Sequence, residues 1–366
     1  MKFSHYIWAI YLIIYPFYFF AEGNPQIADI FGVLLIVVNF KSIVTSISTN
    51  RFTKNLFLFI VYALILNTVW MLILGDFILI KNCIFYVYCY FLTLVIFNKI
   101  KEESFLLITL KALSIALIIQ AILWPFIKSQ GVRTQMFFNN PNQLALWGIC
   151  LLIIIYVLAR ILKVKEIYSI SLFLLSSLFI IISASRAALL GCIVFWLFYI
   201  FNSRKHFIIA ITVFIIGIIF INYNYDIKIH EFAALEYNAE RFSKNGLTSD
   251  QSFGGRGYGR IIENPQYLLF GAGEGEYERF NESIELHSIL ANILFSYGII
   301  GLLLYLGAFA SFTKKMTLEV FVILFIIAFF GSVHMTLRIP LFWITLLFVI
   351  YLHEEKSKGD SLLNSD

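Results

Sequence analysis

Residues 170–201 read ISLFLLSSLFIIISASRAALLGCIVFWLFYIF. Two apolar runs, each close to the length a helix needs to cross a bilayer, flank a short polar joint that carries Ser183, Ser185 and Arg186. A charged side chain at mid-membrane costs about 2.5 to 3.5 kcal/mol on insertion scales, so it stays there only by reaching water, pairing, or binding something anionic. The joint therefore reads as a turn between two membrane helices, or as a kink within one unit, with Arg186 at a membrane surface. The rest of the chain agrees. Of its 366 residues 60% are hydrophobic and 13% charged, and the mean hydropathy is +0.86, whereas soluble domains carry roughly 25% charged residues. No segment shows the alternation of an outer-membrane barrel strand. The expected fold class is all-α, a polytopic transmembrane helical bundle.

Breaks at Gly, Pro, Asn and charge clusters divide the chain into about twelve spans: 3–21, 26–40, 55–74, 77–98, 105–127, 141–159, 167–184, 187–202, 206–222, 285–310, 317–332 and 338–352. The first apolar stretch, Tyr6 to Phe20, follows Lys2 in the manner of a signal peptide. AEGNPQ is a poor cleavage site and further spans follow, so it reads as a retained first helix. Residues 1–222 then hold helices one to nine, 223–286 form a long loop, 285–352 hold helices ten to twelve, and 353–366 are a tail. Sorting the basic residues between alternate loops gives a one-sided result. Lys2, Lys41, Arg51, Lys54, Lys99 and Lys101 fall on one side, joined by Arg160, Lys163, Lys165, Arg204, Lys205, Lys314, Lys315, Lys356 and Lys358. Cytoplasmic loops attract lysine and arginine, so this side and both termini are expected in the cytoplasm. The other side receives Lys128, Arg133, Arg186 and Arg338 in its short loops, and the long loop with 11 of the chain's 22 Asp and Glu residues. A loop of that length is usually functional or disordered, and its aromatic and aliphatic content points to an ordered, partly helical lid.

Three segments on this outer side stand apart. In GVRTQMFFNNPNQLALWG, residues 131–148, Asn139, Asn140 and Pro141 make a helix-start signal, with Asn as cap and Pro in the first turn. In the joint above, two hydroxyls beside a guanidinium can hydrogen-bond phosphate oxygens, because arginine offers a planar fork of donors that stays charged. Arg186 also reads as an arginine snorkelling to the interface. In ELHSILANILFSYGIIGLLLYLG, residues 285–307, His287 lies at a helix start where a neutral imidazole can serve as a base, or simply where an amphipathic ring meets the interface. Gly298, Gly301 and Gly307 are small enough to let helices pack closely. Glu274, Glu276 and Glu278 alternate and read as a solvated loop face rather than a cation site. Cys83, Cys89, Cys150 and Cys192 lie inside spans with no C-x-x-C spacing and read as small packing residues.

The segments FFNNPNQLA, SASRAALLG, GGR followed by NPQYLLFGAGEGEY, and HSILANILFSYGIIG, in this order over roughly residues 130–310, resemble the O-antigen polymerase and O-antigen ligase superfamily of bacterial envelope glycosyltransferases. The earlier helices match only as hydrophobic spans. The family's pattern often has Asn after the histidine, where this chain has Ser288. The resemblance implies an active site at the periplasmic face of the bacterial inner membrane. It implies His287 as general base, and Arg186 and Arg256 as ligands for the diphosphate of an undecaprenyl-diphosphate-linked oligosaccharide, with Arg133, Arg338 and Ser185 as further candidates. It implies inverting transfer of one lipid-linked repeat unit onto another by a polymerase, or onto lipid A core by a ligase. A chain-length regulator is an expected partner; no nucleic acid, cofactor or metal is expected, and no D-x-D element occurs. A lipid-linked oligosaccharide flippase is the alternative from another class, but it would need charges lining a passage between two halves, and the arginines instead collect on one face.

Overall fold

The computed structural model describes residues 2–21, 23–47, 51–127, 133–202, 257–281, 285–310 and 316–363. It is all-helical over these residues. In chain order the helices are α1 Phe3–Ile14, α2 Ile27–Val38, α3 Phe40–Ser46, α4 Arg51–Leu74, α5 Ile78–Lys99, α6 Glu103–Leu123, α7 Pro141–Ile161, α8 Glu166–Ser183, α9 Arg186–Phe201, the short α10 Gly259–Glu263, α11 Ile289–Phe309, α12 Leu318–Val333 and α13 Pro340–Leu363. Six helical stretches among the described residues are long and apolar enough to cross a membrane, or seven when α2 and α3, bent by 75°, are counted as one span. The expected ninth span, 206–222, lies outside the described residues.

α7 is the centre of the bundle. Its first turn is capped as the sequence suggests: Gln143 N donates to Asn140 Oδ1 at 2.9 Å with Pro141 in the first position. Every residue from Leu144 to Leu158 is buried, against α8, α13, α6 and α9. Gly148 lets α8 come close, since a Cβ there would lie 2.7 Å from Ile180 Cγ1. The four cysteines are buried in this packing. The outer helices are apolar outward: only 28% of the apolar window of α4 is buried, and Ile65 and Leu72 are exposed. Water would not tolerate such a surface, whereas lipid favours it.

Four boundaries depart from the sequence reading. α1 stops at Ile14 rather than near 21, because Pro16 has no N–H to return to Leu12. The second apolar stretch bends at Asn39 into α3. Residues 353–363, expected in the tail, continue α13, and Lys356 on that extension pairs with Glu319 at the start of α12. The expected span at 285–310 is α11, and it is broken rather than continuous: Gly298 sits at φ +66°, ψ −174° inside it.

The break in α11 is filled from the long loop. Ala272 N donates to Phe295 O at 2.9 Å, Gly273 N to Ser296 O at 2.8 Å, and Ile299 N to Leu268 O at 2.8 Å. The carbonyls and the amide freed by the broken turn are thus satisfied by residues 268–273, which meets the demand that no backbone group be left unpaired where water is scarce. The described part of the loop is therefore ordered as expected, but it enters the bundle instead of covering it. Charged residues separate by end. Lys2 with Glu102, Arg160 with Glu319, and Lys356 lie at one end. The starts of α5, α7, α11 and α13 lie at the other, around the site described next.

Candidate functional site

The capped start of α7 contributes more than a helix end. Asn142, one residue inside it, accepts a hydrogen bond from Arg133 Nη2 at 3.0 Å, and Arg133 Nε donates to Ser183 O, the last residue of α8, at 3.1 Å. Thr134 N donates to Ile182 O at 3.0 Å. Arg133 thereby places positive charge against the negative end of α8, where helix carbonyls lack partners. The α8–α9 turn follows at once: Ala184 takes the left-handed conformation at φ +51°, Ser185 N donates to Ser183 Oγ at 3.3 Å, and Arg186 opens α9. Ser185 Oγ is buried with no hydrogen-bond partner among the described residues. Arg186 is half-buried at this corner.

His287 precedes α11. Ser288, the position where the sequence departs from the family pattern, is the helix cap: its Oγ accepts from Ala291 N at 3.4 Å. His287 is exposed, with Nδ1 2.7 Å from Glu285 O. A carbonyl can only accept, so Nδ1 is the donor in this contact, and in a neutral ring Nε2 is then the acceptor.

Arg338, just ahead of α13, is held on three sides. Nη1 donates to Asn82 Oδ1 at 3.0 Å, Nη2 to Glu285 Oε2, and Nε lies 3.7 Å from Glu274 Oε1. Burial opposes its charge, yet Glu285 and Glu274 outweigh that cost and raise its pKa above the ordinary arginine value.

Glu274 corrects the sequence reading. It is fully buried, not part of a solvated loop face. Oε2 accepts from the Tyr86 hydroxyl and, at 2.8 Å, from Tyr297; its backbone N donates to Asn67 Oδ1 at 3.0 Å, and its carbonyl accepts from Asn82 Nδ2 at 3.2 Å. Burial pushes its carboxyl above the usual carboxylate range, against the pull of Arg338. GAGEG can enter so tight a space because Gly271, Gly273 and Gly275 adopt φ values of +104°, +73° and +130°.

Two neighbouring cavities open here. The smaller, about 160 Å³, is lined by Asn140, Asn142, Glu285, His287 and His334 among others. The larger, about 380 Å³, is lined by the end of α1, the start of α2, the start of α5 and Arg338. Gln143, Glu285, Met335 and Ile339 line both.

No protein-family model matches this chain, and no curated protein does.

The structure thus gathers His287, Arg338 and, through Asn142, Arg133 around two joined cavities. Arg186 and Ser185 stand at the α8–α9 corner beyond Arg133 and line neither cavity. Arg256 lies outside the described residues. Sequence reasoning missed Glu285, Asn82, Gln143 and Glu274. For Glu274 a signal existed in the three glycines around it, which mark a backbone squeezed between other elements.

Proposed function

We propose that this protein is a glycosyltransferase of the bacterial inner membrane that polymerises undecaprenyl-diphosphate-linked repeat units into a surface polysaccharide at the periplasmic face. In this reading the chain crosses the membrane about twelve times with both termini in the cytoplasm, and the loop of residues 223–286 is periplasmic. The observation that carries the proposal is the setting of His287, a base candidate whose Nδ1 contacts Glu285 O and which lines a cavity tied to two arginines, Arg133 through Asn142 and Arg338 through Glu285. The reaction is a direct displacement. An acceptor hydroxyl oxygen attacks the anomeric carbon from the face opposite the leaving group, its proton passes to His287 Nε2, and the carbon–oxygen bond to diphosphate breaks with the electron pair leaving on phosphate oxygen. Positioning, proton removal and stabilisation of the departing charge are what the protein must supply. Arg186 with Ser185, and Arg256 and Arg133, are the proposed diphosphate ligands; Arg338, whose guanidinium is shared among Glu285, Glu274 and Asn82, holds the cavity wall. Polymerase is preferred to ligase because the aromatic-rich chain suits an enzyme shaped to one repeat unit. Purified protein incubated with lipid-linked repeat unit, with and without lipid A core, separates the two: elongation without core supports the polymerase, and transfer that needs core supports the ligase.

Reporter fusions test the orientation. Fusions after Gly75, Gly131 and Gly246 are expected to report the periplasm and fusions after Lys101 and Lys315 the cytoplasm, following the lysine and arginine asymmetry. A cytoplasmic signal at Gly246 would put the site on the wrong side. Arg186→Lys is the sharper test of diphosphate binding. Lysine keeps the charge but lacks the planar fork, so activity is expected to stay lost at near-normal protein levels. Wild-type polymerisation by Arg186→Lys would return Arg186 to a snorkelling role.

A further inference from the structure

We infer that the larger cavity is a sugar-binding subsite, and that it holds the acceptor end of the glycan while the smaller cavity beside it receives the reacting hydroxyl. Its volume of about 380 Å³ falls within the range of cavities that hold small ligands. Its lining combines two chemistries. Tyr18, Phe85 and Tyr88 bring rings, while Asp29, Lys81 and Gln143 bring a carboxylate, an ammonium and an amide. A pyranose has the same division, with C–H faces that rest on aromatic rings and hydroxyls that both donate and accept.

An ionic ligand fits less well. The charged residues that line it balance in number, Arg338 and Lys81 against Glu285 and Asp29, and Arg338 is already paired with Glu285 and Glu274. What remains is a set of oriented donors and acceptors with little net field, the requirement for a polar, uncharged ligand. The polar wall is also rigid. Gln26 fixes the turn before α2 by accepting from Phe19 N and Phe20 N at 2.9 and 3.0 Å, and Asp29 Oδ2 accepts from Gln26 N at 2.7 Å. Such preorganisation lowers the entropy lost on binding. Glu285 and Gln143, shared with the smaller cavity, set a ligand in the larger one beside His287.

The acceptor role rests on the glycosyl-transfer proposal; the binding of sugar does not, and the experiment keeps them apart. Purified full-length protein in detergent is titrated with free glucose, galactose, N-acetylglucosamine and rhamnose, and binding is followed by saturation-transfer NMR. At least one sugar is expected to bind. Phe85→Ala should weaken it about threefold to tenfold through the lost ring contact. Asn24→Trp, an exposed rim position that does not depend on repacking the interior, should block it. Ile65→Ala, on the exposed side of α4 and outside both cavities, should bind sugar as wild type does. Absence of binding by every sugar, or binding that survives Asn24→Trp and Phe85→Ala, overturns the subsite whatever the transfer assay shows. Binding that is lost equally with Ile65→Ala does not depend on the cavity and overturns the subsite as well. Loss of transfer alone, with this binding pattern intact, counts against the glycosyl-transfer proposal and leaves the subsite standing.

Discussion

His287→Ala and His287→Gln are expected to abolish most glycosyl transfer while leaving the fold and donor binding in place. The fold should survive because the ring is exposed, touches Glu285 O through Nδ1, and takes no part in capping α11, which Ser288 does. Donor binding should survive because arginines, not His287, are proposed to hold the diphosphate. Turnover should fall because a sugar hydroxyl is a poor nucleophile until its proton is leaving, and a positioned base contributes about 10² to 10⁴-fold. Glutamine is the informative variant: it can hydrogen-bond the hydroxyl but cannot take its proton. Single-turnover transfer and binding of the lipid-linked donor should be measured on both variants, with added chelator expected to leave the wild-type rate unchanged. Near-wild-type transfer by His287→Gln would remove His287 from the mechanism, and lost donor binding would make it a ligand instead of a base.

What could be read from the sequence was what depends on neighbours in the chain. Apolar runs located helices at eleven stretches because a helix needs only its own residues to satisfy its backbone. The Asn139, Asn140, Pro141 signal fixed the start of α7 because capping is local, and Asn140 does cap it. Arg133, Arg186, Arg338 and His287 fall on one face by counting loops; Arg338 and His287 line the joined cavities, Arg133 reaches the smaller one only through Asn142, and Arg186 lines neither. The resemblance named these positions but could not say what holds them.

Long-range contacts were not legible. Glu274 looked solvated because alternating glutamates in a loop usually are, and its partners Tyr86, Arg338 and Tyr297 are distant in sequence. Its carboxyl is affordable in the interior only as part of a set, with two hydroxyls and a guanidinium around it. Gly298 was read as a packing residue because a glycine in an apolar helix usually is. Only the docked segment 268–273 reveals that the helix is interrupted there.

That interruption sets the largest structural effect to be expected. Gly298→Ala and Gly271→Ala should each expel residues 268–275 from the bundle. At Gly298 the backbone lies at φ +66°, ψ −174°, a region that glycine alone occupies readily, and an added Cβ would meet the Leu269 carbonyl carbon at 2.5 Å. At Gly271 the φ is +104° and the Cβ would meet Tyr297 Cα at 2.5 Å. Both obstacles are backbone atoms, which cannot rotate away as a side chain can. Loss of the docked segment strands Phe295 O, Ser296 O and Ile299 N without their partners, each at a cost of roughly 2 to 7 kcal/mol where water is absent. It also withdraws Glu274 from Tyr86, Tyr297 and Arg338, so the cavity wall goes with it. Gly307→Ala in the same helix is the control. The nearest atom to its Cβ is the Asn55 amide nitrogen at 3.2 Å, a side-chain end that donates to the Gly307 carbonyl at 2.7 Å and needs to shift only slightly, and alanine favours a helix interior by about 1 kcal/mol over glycine. Heated in detergent and passed over a sizing column, Gly307→Ala should keep at least the wild-type monodisperse peak, while Gly298→Ala and Gly271→Ala lose theirs at lower temperature and lose activity together with it. If Gly298→Ala instead matched wild type in both, α11 would be a continuous helix and the threaded loop, with the buried Glu274 it delivers, would be wrong.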